Sequence, residues 1–122
     1  MISIITITYN AAQWLERTMQ SVLAQSCKDY EYIIVDGASK DGTVDIIKRL
    51  EPLFEGRLSW KSEPDKGLYD AMNKGIARAT GDFLWFMNAG YEIYAPDTLA
   101  HVVAAATEDT DIVYGKACIV NA

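Results

Sequence analysis

Residues 30–43 read Tyr-Glu-Tyr-Ile-Ile-Val-Asp-Gly-Ala-Ser-Lys-Asp-Gly-Thr, and this stretch decides the fold. Its apolar centre, residues 32–35, is typical of a strand that is covered on both faces. The strand ends at Asp36 and Gly37, and Ser39 and Asp41 then offer N-cap side chains to a helix. A buried strand that leads through a short polar turn into a helix is the repeating unit of a parallel α/β sheet.

The same alternation extends in both directions along the chain. Further strands are predicted at residues 2–7, 58–61, 83–87 and 111–114, with 83–87 as a central strand. Apolar stripes at helical spacing predict helices whose buried faces are Leu15, Met19, Val22 and Leu23; Val44, Ile47 and Leu50; and Leu68, Met72, Ile76 and Ala79. A last helix is predicted over residues 98–106. Asn10, helped by Gln13, is predicted to cap the first helix, and Gly81 to stop the third.

The pattern therefore predicts an α/β fold with a mostly parallel, doubly wound sheet, in one domain over residues 1–122. The net charge is −6, from 17 acidic and 11 basic residues. This balance argues against a broad nucleic-acid surface, which needs clustered Lys and Arg. The sequence shows neither a membrane-spanning segment nor a secretory signal, so a cytoplasmic location is expected.

Polar residues follow four of the predicted strands, at the edge where ligands bind in open α/β sheets. They are Thr8, Tyr9 and Asn10; Asp36, Gly37 and Ser39; Asp65 and Lys66; and Asn88, Gly90 and Glu92. Any one of them could serve only as a helix cap or a turn residue. Their convergence favours a binding site, and Asp36 is the sharpest candidate because a carboxylate at the end of a buried strand needs a partner.

Several nucleotide-binding classes lack their motif here. The first loop reads Thr-Tyr-Asn-Ala-Ala rather than G-x-G-x-x-G, and the chain has no G-x-x-x-x-G-K-[ST]. A hydrolase triad is disfavoured because the single histidine, His101, falls in a predicted helix.

Four segments resemble family 2 glycosyltransferases of the GT-A fold, the bacterial type that builds exopolysaccharides and surface glycans. They are residues 4–10 with the helix end 21–26, residues 30–43, residues 63–76 and residues 80–90. The segments occur in the family's order and spacing, and the resemblance extends from Ile2 to about Tyr114. It implies a nucleotide-diphospho-sugar domain, with the acceptor-binding part apparently missing from this chain.

The resemblance also implies roles. Thr8 and Asp36 match the family's uracil contacts, with Tyr9 and Asn10 beside them, and Ser39 flanks that pocket. Lys66 lies in the segment that faces the diphosphate, and Asn88 and Gly90 lead into the acidic motif whose last Asp binds Mn²⁺ or Mg²⁺.

The sequence departs from the family at that last position, which is Tyr91. A phenol is a poor ligand for these hard cations. Glu92, the next residue, is the candidate replacement, and Asp97 is a more distant one that more naturally caps the next helix. The catalytic base of an inverting transfer stays unassigned. Glu108, Asp109 and Asp111 are the later acids, and none of them is nominated.

The resemblance thus implies a domain that binds a UDP-sugar donor for inverting transfer to a glycan or lipid-linked acceptor. Peripheral contact with a membrane and self-association are further expected interactions. The alternative is a nucleotide-binding or interaction module that is truncated or has lost catalysis. A nucleotidyltransferase is disfavoured because the first loop is neither glycine-rich nor basic.

Overall fold

A computed structural model describes residues 1–93, 96–97, 99–100 and 119–121 of the chain. The elements are β1 (Ile2–Thr8), α1 (Ala12–Leu23), β2 (Tyr30–Asp36), α2 (Thr43–Leu50), β3 (Leu58–Ser62), α3 (Leu68–Arg78), β4 (Phe83–Phe86), β5 (Tyr91–Ile93) and β6 (Ile119–Asn121). A 3-10 turn, Glu51–Phe54, follows α2. Among the described residues, no helix combines the length and apolar character needed to cross a lipid bilayer.

Four strands form a parallel sheet in the order β3-β2-β1-β4. Successive side chains of a strand point to opposite faces, and in β2 both faces are apolar. Tyr32 and Ile34 pack with α1 and α2, whereas Ile33 and Val35 pack with α3. Helices therefore cover both faces, and the predicted α/β, mostly parallel, doubly wound fold is confirmed.

The third helix contacts the sheet through small residues, and its predicted apolar face is wrong at Leu68 and Ile76, whereas Ala79 does pack against the core. Ala71 and Gly75 are its buried positions, whereas Leu68 is 53% exposed and Ile76 is 44% exposed. A Cβ at Gly75 would lie 2.7 Å from Cγ2 of Ile5, so a larger residue would push the helix off the sheet. Close contact between α3 and β1 thus depends on glycine, which an apolar-stripe argument overlooks.

One prediction about the segment after α3 is also wrong. The helix ends at Arg78 with Ala79 in an extended conformation, so Gly81 is not its stop. Gly81 instead donates its N–H to the Ser3 hydroxyl at 2.9 Å beside β1. Among the described strands β4 has β1 as its neighbour, and Leu84 is 43% exposed, so the central position of residues 83–87 stays a prediction.

The chain beyond β4 adds an antiparallel pair that the sequence did not indicate. Tyr91–Ile93 pairs with Ile119–Asn121, and β5 packs against α1. Of the predicted helix at 98–106, only residues 99 and 100 are described, and both are helical. The predicted strand at 111–114 lies outside the described residues, as does His101.

Candidate functional site

The carboxyl ends of three neighbouring strands meet in register at one edge of the sheet. Thr8 of β1 is paired with Asp36 of β2, and Asp36 is paired with Ser62 of β3. The three residues therefore form a row across the strand ends. Thr8 and Asp36 were both predicted site residues. Ser62 was missed, although its place at the end of the next strand could have indicated it.

Asp36 is fully buried, and donors from its own turn and from β3 surround its carboxylate. Oδ2 accepts from the Ser39 N–H at 2.9 Å and from the Ser62 hydroxyl at 2.6 Å. Oδ1 accepts from the Ser39 hydroxyl at 2.5 Å. These hydrogen bonds compensate the cost of burying the carboxylate. They use three of about four acceptor positions on a carboxylate and leave one for a ligand.

Thr8 is paired with Asp36 in the sheet, and among the described residues its hydroxyl is unsatisfied. Thr8 is 3% exposed, and among the described residues its Oγ1 has no hydrogen-bond partner. A buried hydroxyl without a partner is unfavourable by roughly 1–3 kcal/mol. Such a group is therefore a candidate for a ligand contact.

The first loop, which follows β1, is joined to the second loop, which follows β2, by reciprocal hydrogen bonds. The Asn10 N–H donates to the Ser39 hydroxyl at 2.8 Å, and the Lys40 N–H donates to Oδ1 of Asn10 at 2.9 Å. Asn10 has a left-handed backbone with φ of 47°. Its predicted role as the cap of α1 is therefore wrong, because its side chain accepts a hydrogen bond from the second loop and not from the start of α1.

The N-terminus of α1 is instead hydrogen-bonded by a side chain of the second loop and by one at the start of α2. The Ala11 N–H donates to Oγ1 of Thr43 at 3.0 Å, and the Ala12 N–H donates to Oδ2 of Asp41 at 3.1 Å. Ala11 occupies the cap position of α1 and supplies no side-chain cap, so Gln13 completes no capping box. These acceptors lie about 30 residues away in the sequence, which local spacing cannot reveal.

Ser39 and Asp41 were expected to cap α2, and only Asp41 contacts that helix end. Gly42 occupies the cap position of α2. Oδ1 of Asp41 accepts from the Thr43 N–H at 3.0 Å and from the Thr43 hydroxyl. The Thr43 hydroxyl is the main cause that lowers the pKa of Asp41 below 3.8; partial desolvation opposes it, and the Thr43 and Ala12 N–H groups reinforce it.

Tyr9 and Asp65 approach Gly37 closely. A Cβ at Gly37 would lie 2.8 Å from Oδ2 of Asp65 and 3.3 Å from Cδ1 of Tyr9, so only glycine fits there. Tyr9 is 62% exposed, and Oδ1 of Asp65 accepts the Gly67 N–H at 3.1 Å. The segments that follow the first, second and third strands thus approach one another closely at Gly37.

Lys66, the predicted phosphate contact, begins the segment that leads into α3. Its N–H donates to Oδ2 of Asp70 at 2.8 Å, and its side chain is exposed. Lys74 holds the same segment from inside α3, since its Nζ donates to the Pro64 carbonyl at 2.9 Å and lies 3.4 Å from Glu63. Lys74 is therefore engaged by the loop, and Lys66 is the lysine of this segment that faces solvent.

Asn88 and Gly90 have different surroundings. Asn88 is exposed just beyond β4, and the neighbouring Ala89 N–H approaches the Ile7 carbonyl at 3.5 Å near the end of β1. Gly90 is buried, with φ of 102°, and donates its N–H to the Thr18 hydroxyl of α1 at 3.0 Å. Asn88 is thus placed near the strand ends, whereas Gly90 fixes the chain against α1.

The described side chains do not fit a divalent cation. No three His, Cys, Asp or Glu side chains of the described part lie close enough to bind one together. Asp36 is buried under serine donors, and Asn88 offers a neutral amide. The side chains of Tyr91 and Glu92 lie outside the part of the chain that the structure describes, so Glu92 stays a predicted ligand.

Sequence comparison gives the chain close relatives. The profile of glycosyl transferase family 2 matches residues 3–121. A PGL/p-HBAD biosynthesis glycosyltransferase of Mycobacterium tuberculosis is 43% identical over 117 residues, which are 94% of this chain and 46% of that protein. An uncharacterized glycosyltransferase of Nostoc is 35% identical over 102 residues, 84% of this chain and 31% of that protein. The chain spans less than half the length of these relatives.

Solved structures share the fold. The mannosyltransferase PcManGT from Pyrobaculum calidifontis, in complex with GDP-Man and Mn²⁺, has a TM-score of 0.77 and is 30% identical, over 84% of this chain and 31% of that chain. S. aureus TarS in complex with UDP-GlcNAc has a TM-score of 0.77 at 24% identity, over 84% and 30% of the two chains. These likenesses define the class as GT-A α/β domains. The chain belongs to glycosyl transferase family 2.

Proposed function

We propose that this chain is the donor-binding part of a glycosyltransferase that binds a UDP-sugar at the carboxyl ends of β1, β2 and β3. The observation that carries the proposal is the unpaired, buried Thr8 hydroxyl in register with the Asp36 carboxylate. TarS and PcManGT, which share the fold, have been solved with UDP-GlcNAc and with GDP-Man, and this supports a nucleotide-sugar donor.

The chemistry of uracil matches these two groups. Uracil presents an imide N–H between two carbonyl oxygens. Asp36 has one acceptor position left for that N–H, and the Thr8 hydroxyl can donate to a neighbouring carbonyl. Because Asp36 is completely buried, a nucleotide can reach its carboxylate only if a covering group moves. The exposed Tyr9 ring lies beside the turn that carries Asp36. Adenine has no such imide, so these groups select against it.

The rest of the donor extends past the first loop. The exposed Lys66 ammonium offsets diphosphate charge, and the Asn88 amide donates to it. Transfer is a single in-line displacement with inversion, to a glycan or lipid-linked acceptor. The synthesis of a surface polysaccharide or glycolipid in the cytoplasm is the matching context. Within this chain, the proposal assigns donor binding and positioning, and it assigns no catalytic base.

Mn²⁺ or Mg²⁺ enters the proposal only through Glu92. A bound divalent cation would supply Lewis-acid stabilisation of the departing diphosphate. The described residues do not form its site, so the proposal includes no step that depends on it. Glu92→Gln tests the ligand, since it should remove any Mn²⁺ dependence of UDP affinity while metal-free affinity stays unchanged.

Calorimetric titration of the chain with UDP and with ADP, each with and without Mn²⁺, tests the proposal. We expect UDP to bind and ADP to bind at least tenfold more weakly, about 1.4 kcal/mol. Equal affinity for the two nucleotides would contradict the uracil assignment. A folded sample that binds neither would overturn the donor site altogether.

A second candidate is a nucleotide-binding module without catalysis, and Tyr91 in place of the family's metal-binding Asp favours it. Both candidate functions predict that the chain binds UDP, so they are distinguished by whether it also cleaves UDP-sugars. Release of UDP from UDP-sugars by the chain would support the enzyme. Tight UDP binding without release, also in the Tyr91→Asp variant, would support the binding module.

A further inference from the structure

Three consecutive backbone N–H groups that lead into α1 are accepted by two side chains of the second loop and by Thr43, the first residue of α2. The N–H groups of residues 10, 11 and 12 donate to Ser39, Thr43 and Asp41 at 2.8, 3.0 and 3.1 Å. A helix N-terminus normally leaves such groups for solvent or for an anionic ligand. Here the protein itself supplies acceptors for the N–H groups of residues 10–12.

The acceptors are themselves fixed in place. The Ser39 hydroxyl donates to Asp36, and the Thr43 hydroxyl donates to Asp41. Each hydroxyl thus accepts a hydrogen bond from an N–H group of the first loop and donates one to a carboxylate of the second loop. Thr43 is completely buried and Ala11 is 6% exposed, so water cannot readily replace the hydroxyl between them.

We infer that Thr43 and Asp41 are positioning residues of the nucleotide site, which hold the first loop so that Thr8 and Tyr9 stay beside Asp36. The inference rests on the proposed function. Neither residue contacts the nucleotide in this assignment. Each acts through the backbone of residues 11 and 12, which continue directly from the loop that carries Tyr9 and Asn10.

Loss of the Thr43 hydroxyl should lower nucleotide affinity while the protein stays folded. Thr43→Val keeps the shape but leaves the buried Ala11 N–H without an acceptor, which favours alternative conformations of the first loop. Apparent affinity falls in proportion to the fraction of molecules that hold the competent conformation. We expect the Kd for UDP to rise about tenfold, with one site per chain retained. Thr43→Ser, which keeps the hydroxyl, should restore the wild-type Kd.

A destabilised control separates positioning from general stability. Phe54 is a fully buried core residue just before β3, at the opposite end of that strand from Ser62. Phe54→Leu should lower the urea midpoint as much as Thr43→Val does and leave the Kd for UDP unchanged. Asp41→Ala is compared with Asp45→Ala, which removes an exposed carboxylate from the first turn of α2 and no contact to α1. Only the Asp41 variant should bind UDP more weakly.

The outcomes are distinct. If wild type fails to bind UDP, the proposed function fails, and this inference with it. If wild type binds and Thr43→Val binds equally well, the inference alone is overturned. If Thr43→Val and Phe54→Leu weaken binding alike, or if Thr43→Ser does not restore it, the effect is one of stability or side-chain volume, and the positioning role is rejected.

Discussion

Ser39 and Asp36 are joined twice, since the Ser39 N–H donates to Oδ2 at 2.9 Å and its hydroxyl donates to Oδ1 at 2.5 Å. The carboxylate therefore closes the turn that follows β2. The same hydroxyl accepts from Asn10, so the turn also orders the first loop. Asp36 consequently has a structural role whatever it binds, and Asp36→Ala is a poor test of binding alone.

Thr8→Val gives a cleaner test of the nucleotide site. Because Oγ1 of Thr8 has no partner among the described residues, a methyl group in its place should leave stability unchanged or raise it by about 1 kcal/mol. UDP affinity should fall about tenfold, because the ligand loses its donor. Urea unfolding and calorimetry measure the two effects. A loss of stability in this variant would show that the hydroxyl has a structural partner.

Ser62→Ala should destabilise the protein through Asp36. It removes the 2.6 Å hydrogen bond to Oδ2 of a fully buried carboxylate, at a cost of about 1–3 kcal/mol. Ser59→Ala, at an exposed position of the same strand, is the control and should cost less than about 0.5 kcal/mol. Denaturant midpoints compare the two variants. Equal midpoints would mean that Asp36 does not depend on this donor.

Gly75→Ala should be destabilising, although alanine favours helices by about 1 kcal/mol over glycine. The new Cβ would lie 2.7 Å from Cγ2 of Ile5, a stiff β-branched side chain of β1. Overpacking of this kind costs about 1–3 kcal/mol. Ala77→Gly, at an exposed position of the same helix, calibrates the propensity effect. A Gly75→Ala protein more stable than wild type would show that α3 can move away from the sheet without cost.

The ionised Glu31 carboxylate should stabilise the protein at neutral pH, and this contribution should be lost in acid. Desolvation, the largest influence, raises the pKa of its carboxyl, but hydrogen bonds from the Ser3 hydroxyl and from Thr80 together lower the pKa below its value in the unfolded chain. A group whose pKa is lower in the folded state stabilises that state above the unfolded pKa of about 4.3. The contribution is lost as pH falls through the folded value.

Glu31→Gln should therefore be less stable than wild type at pH 7, and the difference should shrink as the pH is lowered through 4. Urea midpoints measured between pH 7 and pH 3 give the profile. Asp45→Asn, at an exposed carboxylate of α2, serves as the control. A difference that is constant with pH would assign the effect to side-chain shape rather than to the ionised carboxylate.

The parallel sheet and the grouping of Thr8 and Asp36 at its carboxyl edge could be predicted from the sequence, whereas Ser62 was missed. Parallel strands place their carboxyl ends at one edge of the sheet, and the observed strand order makes Thr8 and Asp36 direct neighbours there. The family resemblance is confirmed by the matching profile and relatives. The binding roles of Thr8, Tyr9, Asn10, Asp36 and the other site residues stay predictions.

The errors came from contacts that sequence spacing does not encode. Asn10 has the residue type of a helix cap, yet its partner is Lys40 on another loop. Leu68 and Ile76 have helical spacing, yet the close approach at Gly75 decides which face is buried. A local pattern describes what one segment prefers, and these positions are governed by what a second segment supplies.

The bonds between the first and second loops also limit how the domain can be altered. Ser39, Asp41 and Thr43 accept the N–H groups of residues 10–12, so neither loop retains its shape alone. A chimaera that takes only one of these loops from a relative would leave those backbone N–H groups without their acceptors. Nucleotide preference should therefore be transferable between relatives only when both loops are exchanged together, as one module encoded by two separate stretches of sequence.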